Sequence, residues 1–429
     1  MDGTYQSGSI TRLIGPSAVD YPRLELTRRS FLKGSALGAT GLMLTYASPA
    51  LLHAETVPVA RYDGVEDVYR QNRQSIVEGR VMETSAETMT SFRALALQVT
   101  CHAVNQLPNR EQARARMRQT LERLRRLIPA SLAWVGQDTR LVVLPEYFLT
   151  GFPMGETIEE WAQKACLEPD GPEYEMLSQI AEENKIFLAG NAYELDAHFP
   201  GLYFQTSFII DGTGRVVLRY RRLNSMFAPT PHDVWDRYLD IYGLEGVFPV
   251  AQTEIGRLAA VASEEILFPE LTRCLAMRGA EIIVHSSSEA GSPRPTPKGI
   301  AKIARAIENS VYLVSANSAG IEGNNMPSRS TDGGSMIVDY RGQVLAEAGP
   351  GESLVAHAEI DLAALRRWRR RPGMDNLLSR QRFELYAESY RQFHFYPANT
   401  LLHGITDRSH FIKTQRETIE RLVREGVIL

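Results

Sequence analysis

Glu146 is the first side chain in this sequence whose surroundings give it chemical meaning. It follows the apolar run Leu141-Val142-Val143-Leu144 and Pro145, so it sits just past the end of a buried strand, where ligand sites of α/β sheets collect. A carboxylate there can serve as a general base, or simply cap a helix or turn. Three cysteines, Cys101, Cys166 and Cys274, show no metal-type spacing, and their odd number leaves at least one unpaired. There is no His-Glu-x-x-His segment, no Cys-x-x-Cys pair and no glycine-rich phosphate loop. The stretch Gly320-Ile321-Glu322-Gly323-Asn324-Asn325 carries glycines at the wrong spacing and reads as a loop. No metal and no cofactor is implied.

The chain has 429 residues, 44% hydrophobic and 23% charged. That is ordinary globular composition, long enough for one large domain or two. With 47 basic against 51 acidic residues and a net charge of -4, it lacks the basic excess of a nucleic-acid-binding surface. Near the N-terminus, Leu26-Thr27-Arg28-Arg29-Ser30-Phe31-Leu32-Lys33 precedes a mildly apolar run from Gly34 to Leu52. This resembles a twin-arginine export signal. Ser48, Ala50 and Ala54 offer small residues for cleavage. Residues 1–54 are therefore expected to be a signal peptide handled by the twin-arginine translocase, and the mature protein to be periplasmic or otherwise extracytoplasmic. No stretch reaches the roughly 20 apolar residues of a spanning helix, so no membrane span is expected in the mature chain.

After a linker or arm over 55–91, strands and helices alternate. Phe92–Val99 reads as a buried strand and Asn109–Ile128 as an amphipathic helix. Arg140–Leu144 is a strand, Glu173–Asn184 a helix and Ile186–Asn191 a strand. Leu202–Ile210 and Arg215–Tyr220 flank Asp211-Gly212-Thr213-Gly214 as a hairpin. Leu258–Ala262, Glu281–His285 and Val311–Asn317 are strands, separated by helices at Pro269–Arg278 and Gly299–Asn309. A last hairpin turns at Tyr340-Arg341-Gly342. This order predicts a layered α/β domain with mixed sheets. The basic run Arg366–Arg371 reads as a solvated helix end, and residues 393–429 as an extension without a domain pattern of their own.

Several segments then fall in a telling order. Leu144-Pro145-Glu146-Tyr147-Phe148 comes first, then Phe268-Pro269-Glu270-Leu271, then Arg278-Gly279-Ala280-Glu281. Ala304-Arg305-Ala306-Ile307-Glu308-Asn309 and Gly334-Ser335-Met336-Ile337-Val338-Asp339 follow. Together they resemble the nitrilase, or carbon–nitrogen hydrolase, superfamily over residues 92–392. The resemblance implies an α-β-β-α sandwich that pairs with a second copy into a four-layer homodimer or higher homo-oligomer. It also implies a Glu-Lys-Cys triad with a second carboxylate, in which a thiolate attacks an amide or nitrile carbon and a lysine steadies the oxyanion.

Carried over position by position, that triad is altered. Glu146 keeps its place. The lysine of a Tyr-Arg-Lys segment is replaced by Arg222, in Tyr220-Arg221-Arg222. Five residues before Phe268 stands Ser263, where the family has cysteine. Asp236, in Asp236-Arg237-Tyr238, is the candidate for the second carboxylate. Tyr147, Trp235, Glu264 and Glu265 are the candidate substrate-binding residues around them. None of the three cysteines substitutes by position: Cys274 lies in the helix after the Phe-Pro-Glu motif, and Cys101 and Cys166 are far away along the chain. A serine hydroxyl is much harder to ionise than a thiol, and no histidine adjoins Ser263 in sequence, leaving His232 and His285 to approach only in space. The Arg305/Glu308 and Glu270/Arg273 pairs read as structural. The loop bearing Pro293, Pro295 and Pro297 is expected to border the pocket.

Three readings follow. In the first, the protein has lost thiol-dependent hydrolysis and acts as a small-ligand-binding or assembly protein, with Arg222 suited to an anionic ligand by bidentate hydrogen bonding. In the second it is an amidase of altered mechanism, with Ser263 or an activated water as nucleophile. The third is metal- or cofactor-dependent chemistry on the same fold, which the motifs do not support.

Overall fold

The computed structural model describes residues 89–290, 293–404 and 407–429, all within one compact unit, Thr84–Leu429. The expected signal peptide and nearly all of the expected linker lie outside the described residues. Among the described residues no helix is long and apolar enough to cross a membrane, and no cluster of His, Cys, Asp and Glu is arranged to hold a metal.

Two six-stranded mixed sheets form the centre. The first contains β1 (Ser91–Ala96), β3 (Thr139–Val143), β4 (Phe187–Leu195), β5 (Tyr203–Ile210), β6 (Val216–Arg221) and β14 (His357–Asp361), in the order β14-β1-β3-β4-β5-β6. The second contains β7 (Ala251–Thr253), β8 (Gly256–Ala262), β9 (Ile282–Ser287), β10 (Tyr312–Asn317), β12 (Met336–Val338) and β13 (Val344–Glu347), in the order β13-β12-β10-β9-β8-β7. A short parallel pair, β2 (Cys101–His102) with β11 (Ile321–Glu322), stands apart. In each sheet a parallel centre carries antiparallel strands at its edges.

The period-two pattern of the strands sorts side chains between layers. Leu141 and Val143 enter the core between the sheets together with Leu258, Ala260, Ile282 and Val284. Val142 and Leu144 face the other way, into the core under the helices of the first sheet. Those helices are α1 (Arg110–Val135), α2 (Ile158–Ala165), α3 (Pro172–Asn184) and α4 (Trp235–Val247). The second sheet's outer face is covered by α5 (Pro269–Met277) and α6 (Pro297–Asn309), packed over Ala259, Val261, Ile283 and Leu313. The chain is thus an α-β-β-α sandwich, the architecture expected from its sequence.

Two segments differ from expectation. The first helix was expected to stop at Ile128 but continues through Pro129 to Val135. Ile128, Leu132 and Val135 prolong its buried stripe, and that burial outweighs the backbone hydrogen bond the proline forfeits. Residues 393–429 are also more than an appendage. After α7 (Leu362–Arg370) and α8 (Glu384–Gln392), the chain ends in α9 (Ser409–Arg424), whose Phe411 is fully buried in the helix-side core of the first sheet. Arg408 reaches the Tyr203 hydroxyl at 2.7 Å, and Leu401 N–H donates to Asp233 O at 2.8 Å. Phe411→Ala is expected to destabilise the domain by about 3–5 kcal/mol, read from denaturant unfolding. An unchanged midpoint would mean that the last helix is not docked.

Candidate functional site

The strands β3, β6 and β8 end on one edge of the sandwich, and each delivers one polar residue there. Glu146 follows β3, Arg222 follows β6 and Ser263 follows β8. The two sheets are stitched at this edge: Glu146 N–H donates to Ser287 O at 3.3 Å, and the Ser286 hydroxyl donates to Leu144 O at 2.8 Å.

Glu146 is completely buried. Its Oε1 accepts hydrogen bonds from Gln205 Nε2 at 2.6 Å and from Arg222 Nη1 at 3.3 Å. Its Oε2 is buried without a hydrogen-bond partner, and the hydroxyls of Ser263 and Tyr147 lie close enough to the carboxyl to bear on its ionisation. Burial pushes the Glu146 carboxyl above its ordinary value, and the charges of Arg222 and Lys298 oppose that rise. Tyr147 takes a left-handed backbone, φ 42°, and its ring stacks on Tyr193 at 6.1 Å.

Arg222 is held on several sides. Nε donates to Asn224 O at 2.6 Å, Nη1 donates to Gln205 Oε1 at 2.7 Å and to Glu146, and Nη2 donates to Glu264. Burial disfavours its charge, but Glu146 and Glu264 outweigh that and keep it protonated. A side chain expected to receive an anionic ligand is thus already engaged by two carboxylates of its own chain.

Ser263 opens a tight turn, Ser263–Leu267, with φ 51°. That left-handed backbone costs a non-glycine residue of order 1–3 kcal/mol, so the surroundings must hold it. His285 Nε2 lies 2.8 Å from Ser263 O, and His285 Nδ1 lies 2.9 Å from Ser315 Oγ. Burial, reinforced by Lys302, keeps His285 neutral, with its pKa far below the ordinary histidine value. It therefore donates from Nε2 to the Ser263 carbonyl and accepts the Ser315 hydroxyl at Nδ1. Glu265 completes the support. Its Oε1 accepts the N–H groups of Leu223 and Asn224, and its Oε2 accepts the Tyr220 hydroxyl at 2.9 Å and Ala262 N–H at 3.2 Å. Burial lifts this carboxyl to about 7 against the donors around it. Glu265 was expected to touch substrate; instead it ties the Arg222 loop to the Ser263 turn.

The remaining expected residues lie further out. Trp235 and Glu264 line a cavity of about 600 Å³ with His232, Phe248, Phe268 and Tyr396, and Glu264 joins that cavity to Arg222. Asp236 does not join the cluster. It is exposed in the first turn of α4, and its backbone N–H donates to Asn399 Oδ1. A helix start pinned by the C-terminal segment turns it to the surface. Cys101 lies nearer than its sequence position implied, donating from Sγ to Glu146 O at 3.3 Å. Burial first, and the Glu146 charge second, raise its pKa strongly, so it stays a thiol. A second cavity, about 690 Å³ between Asn105, Arg110, Glu156 and Lys164, is lined by none of these residues.

Lys298 was missed. Its Nζ donates to Ser263 Oγ at 3.3 Å. The signal was present in the sequence as a helical stripe: Lys298, Lys302 and Arg305 are spaced i, i+4, i+7 and so share one face of α6.

A family profile for carbon-nitrogen hydrolase matches residues 69–370. The chain belongs to the carbon-nitrogen hydrolase family. The match begins within the stretch read as a linker. The omega-amidase NIT3 of Saccharomyces cerevisiae is 26% identical over 252 residues, covering 58% of this chain and 84% of that protein. The omega-amidase NIT2-A of Xenopus laevis is 29% identical over 230 residues, covering 53% and 79%. Among solved structures, Saccharomyces cerevisiae Nit3, a member of the nitrilase superfamily, aligns with a TM-score of 0.51 at 23% identity, covering 66% of this chain and 94% of that one. An amidase from Nesterenkonia sp. aligns at 0.50 and 22% identity, covering 70% and 97%. At these identities the structures show the shared fold.

Because His285 stays neutral in the fold while an unfolded histidine titrates near 6.5, the unfolded chain binds the extra proton first. Its contribution is present above that pH and lost as pH falls below it. Between pH 7.5 and 5, unfolding free energy of the wild type should fall more steeply than that of His285→Gln, by up to about 1.4 kcal/mol per pH unit. Parallel curves would contradict a neutral buried His285.

Proposed function

We propose that this carbon-nitrogen hydrolase-family protein cleaves the C–N bond of a small amide with Ser263 as nucleophile and Glu146 as base. The carrying observation is the free, buried Oε2 of Glu146 beside the hydroxyl of a serine held in a left-handed turn. A buried acceptor without a partner costs about 1–3 kcal/mol, and taking the Ser263 proton satisfies it. As the Oγ–carbon bond forms, that proton passes to Glu146 and the carbonyl π pair moves onto oxygen. On collapse the C=O bond re-forms, the C–N bond breaks, and Glu146 returns the proton to the departing nitrogen. The products are an ester on Ser263 and ammonia or an amine; water then hydrolyses the ester, with Glu146 again as base. That omega-amidases and an amidase are among the relatives supports the substrate class. The occupied guanidinium of Arg222 speaks against an anion-binding role for this residue.

Two further parts of the reading concern setting. The motif around Arg28 and Arg29 supports export through the twin-arginine pathway to an extracytoplasmic site. Exposed Met277 at the end of α5 and Ile300 and Ile307 on α6 support pairing of two copies through that layer, since exposed apolar side chains favour burial in an interface.

The purified mature protein should release ammonia from members of a panel of small amides. Ser263→Ala and Glu146→Gln should each lower kcat by about 10²–10⁴-fold. The acid limb of the wild-type pH profile should lie above the ordinary carboxylate range, because Glu146 must ionise against its burial. No turnover across the panel by folded protein would leave the binding or assembly reading. Turnover lost only in Glu146→Gln would assign attack to water. Separately, replacing Arg28 and Arg29 with lysine should leave the precursor in the cytoplasm; unchanged export would refute the signal.

A further inference from the structure

Arg222 is poorly placed to meet a developing oxyanion. Four of its donors are committed to Asn224 O, Gln205, Glu146 and Glu264, and the side chain is buried. Freeing it would strand Glu146 without its counter-charge. Its work is to hold Glu146.

Lys298 is differently situated. Among the described residues its Nζ makes one hydrogen bond, to Ser263 Oγ, so two of the three ammonium donors remain open beside the reacting hydroxyl. Its charge also acts on Glu146, second only to that of Arg222. The helix that carries it is fixed from the same face. Lys302 is buried and pairs with Glu289 at 2.6 Å, while Arg305 donates from Nε to Ile266 O at 3.0 Å and from Nη2 to Leu267 O at 2.9 Å. Arg305 thereby grips the turn that Ser263 begins. Lys298 follows the first residue of α6, whose first turn carries no acidic residue. A cation at a helix N-terminus works against the helix dipole, so helix stability does not explain a lysine at this position.

Resting on the amide-hydrolysis reading, we propose that Lys298 is a catalytic residue of this site, its ammonium holding Ser263 Oγ for attack and donating to the carbonyl oxygen as negative charge develops there. Arg222 then positions the base, and Lys298 meets the charge.

The test uses the full mature chain with Lys298 intact, Lys298→Ala and Lys298→Arg, and two separate readouts. One is amide turnover against pH. The other is the rate at which a fluorophosphonate labels Ser263, a reaction in which the Oγ–phosphorus bond forms and fluoride leaves. Lys298→Ala should lower both kcat and labelling by about 10²-fold and shift the acid limb upward, because a charge that favours ionised Glu146 is gone. Lys298→Arg should recover part of each. Turnover and labelling in Lys298→Ala within twofold of wild type would overturn the Lys298 assignment and leave the amidase reading standing. Absent turnover in the wild type, with labelling that still depends on Lys298, would overturn amide hydrolysis while keeping Lys298 as the group that activates Ser263. Circular dichroism melting confirms that the half-buried position tolerates both changes; a variant that fails to fold is replaced by Lys298→Met, read by the same two measurements.

Discussion

Taking the Glu146 carboxylate wholly out of water costs several kcal/mol unless a counter-charge and hydrogen bonds come with it, and Arg222 and Gln205 supply them. Much of the edge of the sandwich is arranged to make that pairing hold. Gln205 donates to Glu146 and to Asn191 Oδ1 and accepts from Arg222, so one amide holds both the carboxylate and the guanidinium. Glu264 takes the other end of the guanidinium. Glu265 binds the backbone just after Arg222 and the backbone just before Ser263. The ion pair is thus coupled to the serine turn through one buried carboxyl.

The same constraint explains why one carboxylate oxygen is free. Arg222 and Gln205 approach Oε1 only, and Oε2 is left without a hydrogen-bond partner on a carboxyl that has the Ser263 and Tyr147 hydroxyls close by. An oxygen so placed is a proton acceptor in waiting, and its base strength is raised by burial rather than by a like-charged neighbour. The serine that would supply the proton is held by contacts behind it, from His285 to its carbonyl and from Arg305 to the carbonyls of Ile266 and Leu267. Preorganisation of this kind costs backbone strain at Ser263, offset by those hydrogen bonds, and leaves little to rearrange when substrate arrives.

Much of this was legible in the sequence, and the gaps have physical causes. Apolar runs and the order of elements pointed to a layered α/β domain with mixed sheets, because a buried strand must sort its side chains by twos, and the two-sheet sandwich followed from the family resemblance. Glu146 was legible because it lies just past an apolar strand, where position along the chain dictates position in space, whereas Arg222 and Ser263 were found through the family resemblance, by their places relative to the Tyr-Arg and Phe-Pro-Glu segments. Asp236 was misplaced because it lies in a connection whose path is set by contacts with residues 399–401, more than 150 positions away. Lys298 did not stand out in the sequence because it directly follows a proline-bearing loop, although its spacing to Lys302 and Arg305 marks a common face. Glu265 was read as a ligand group because sequence shows its charge but not its four donors. The last helix was read as an extension because its apolar face matters only once the first sheet's helix layer is there to receive Phe411.

Nucleophilic attack by Ser263 requires a covalent bond between its Oγ and the acyl group. Its most direct measurement is rapid quenching of the protein with a slowly deacylating amide or ester, followed by peptide mass spectrometry. An acyl mass increment is expected on the peptide containing Ser263, absent in Ser263→Ala and slowed in Glu146→Gln. Full turnover with an unmodified Ser263 peptide at every quench time, or an increment carried by a cysteine, would contradict it.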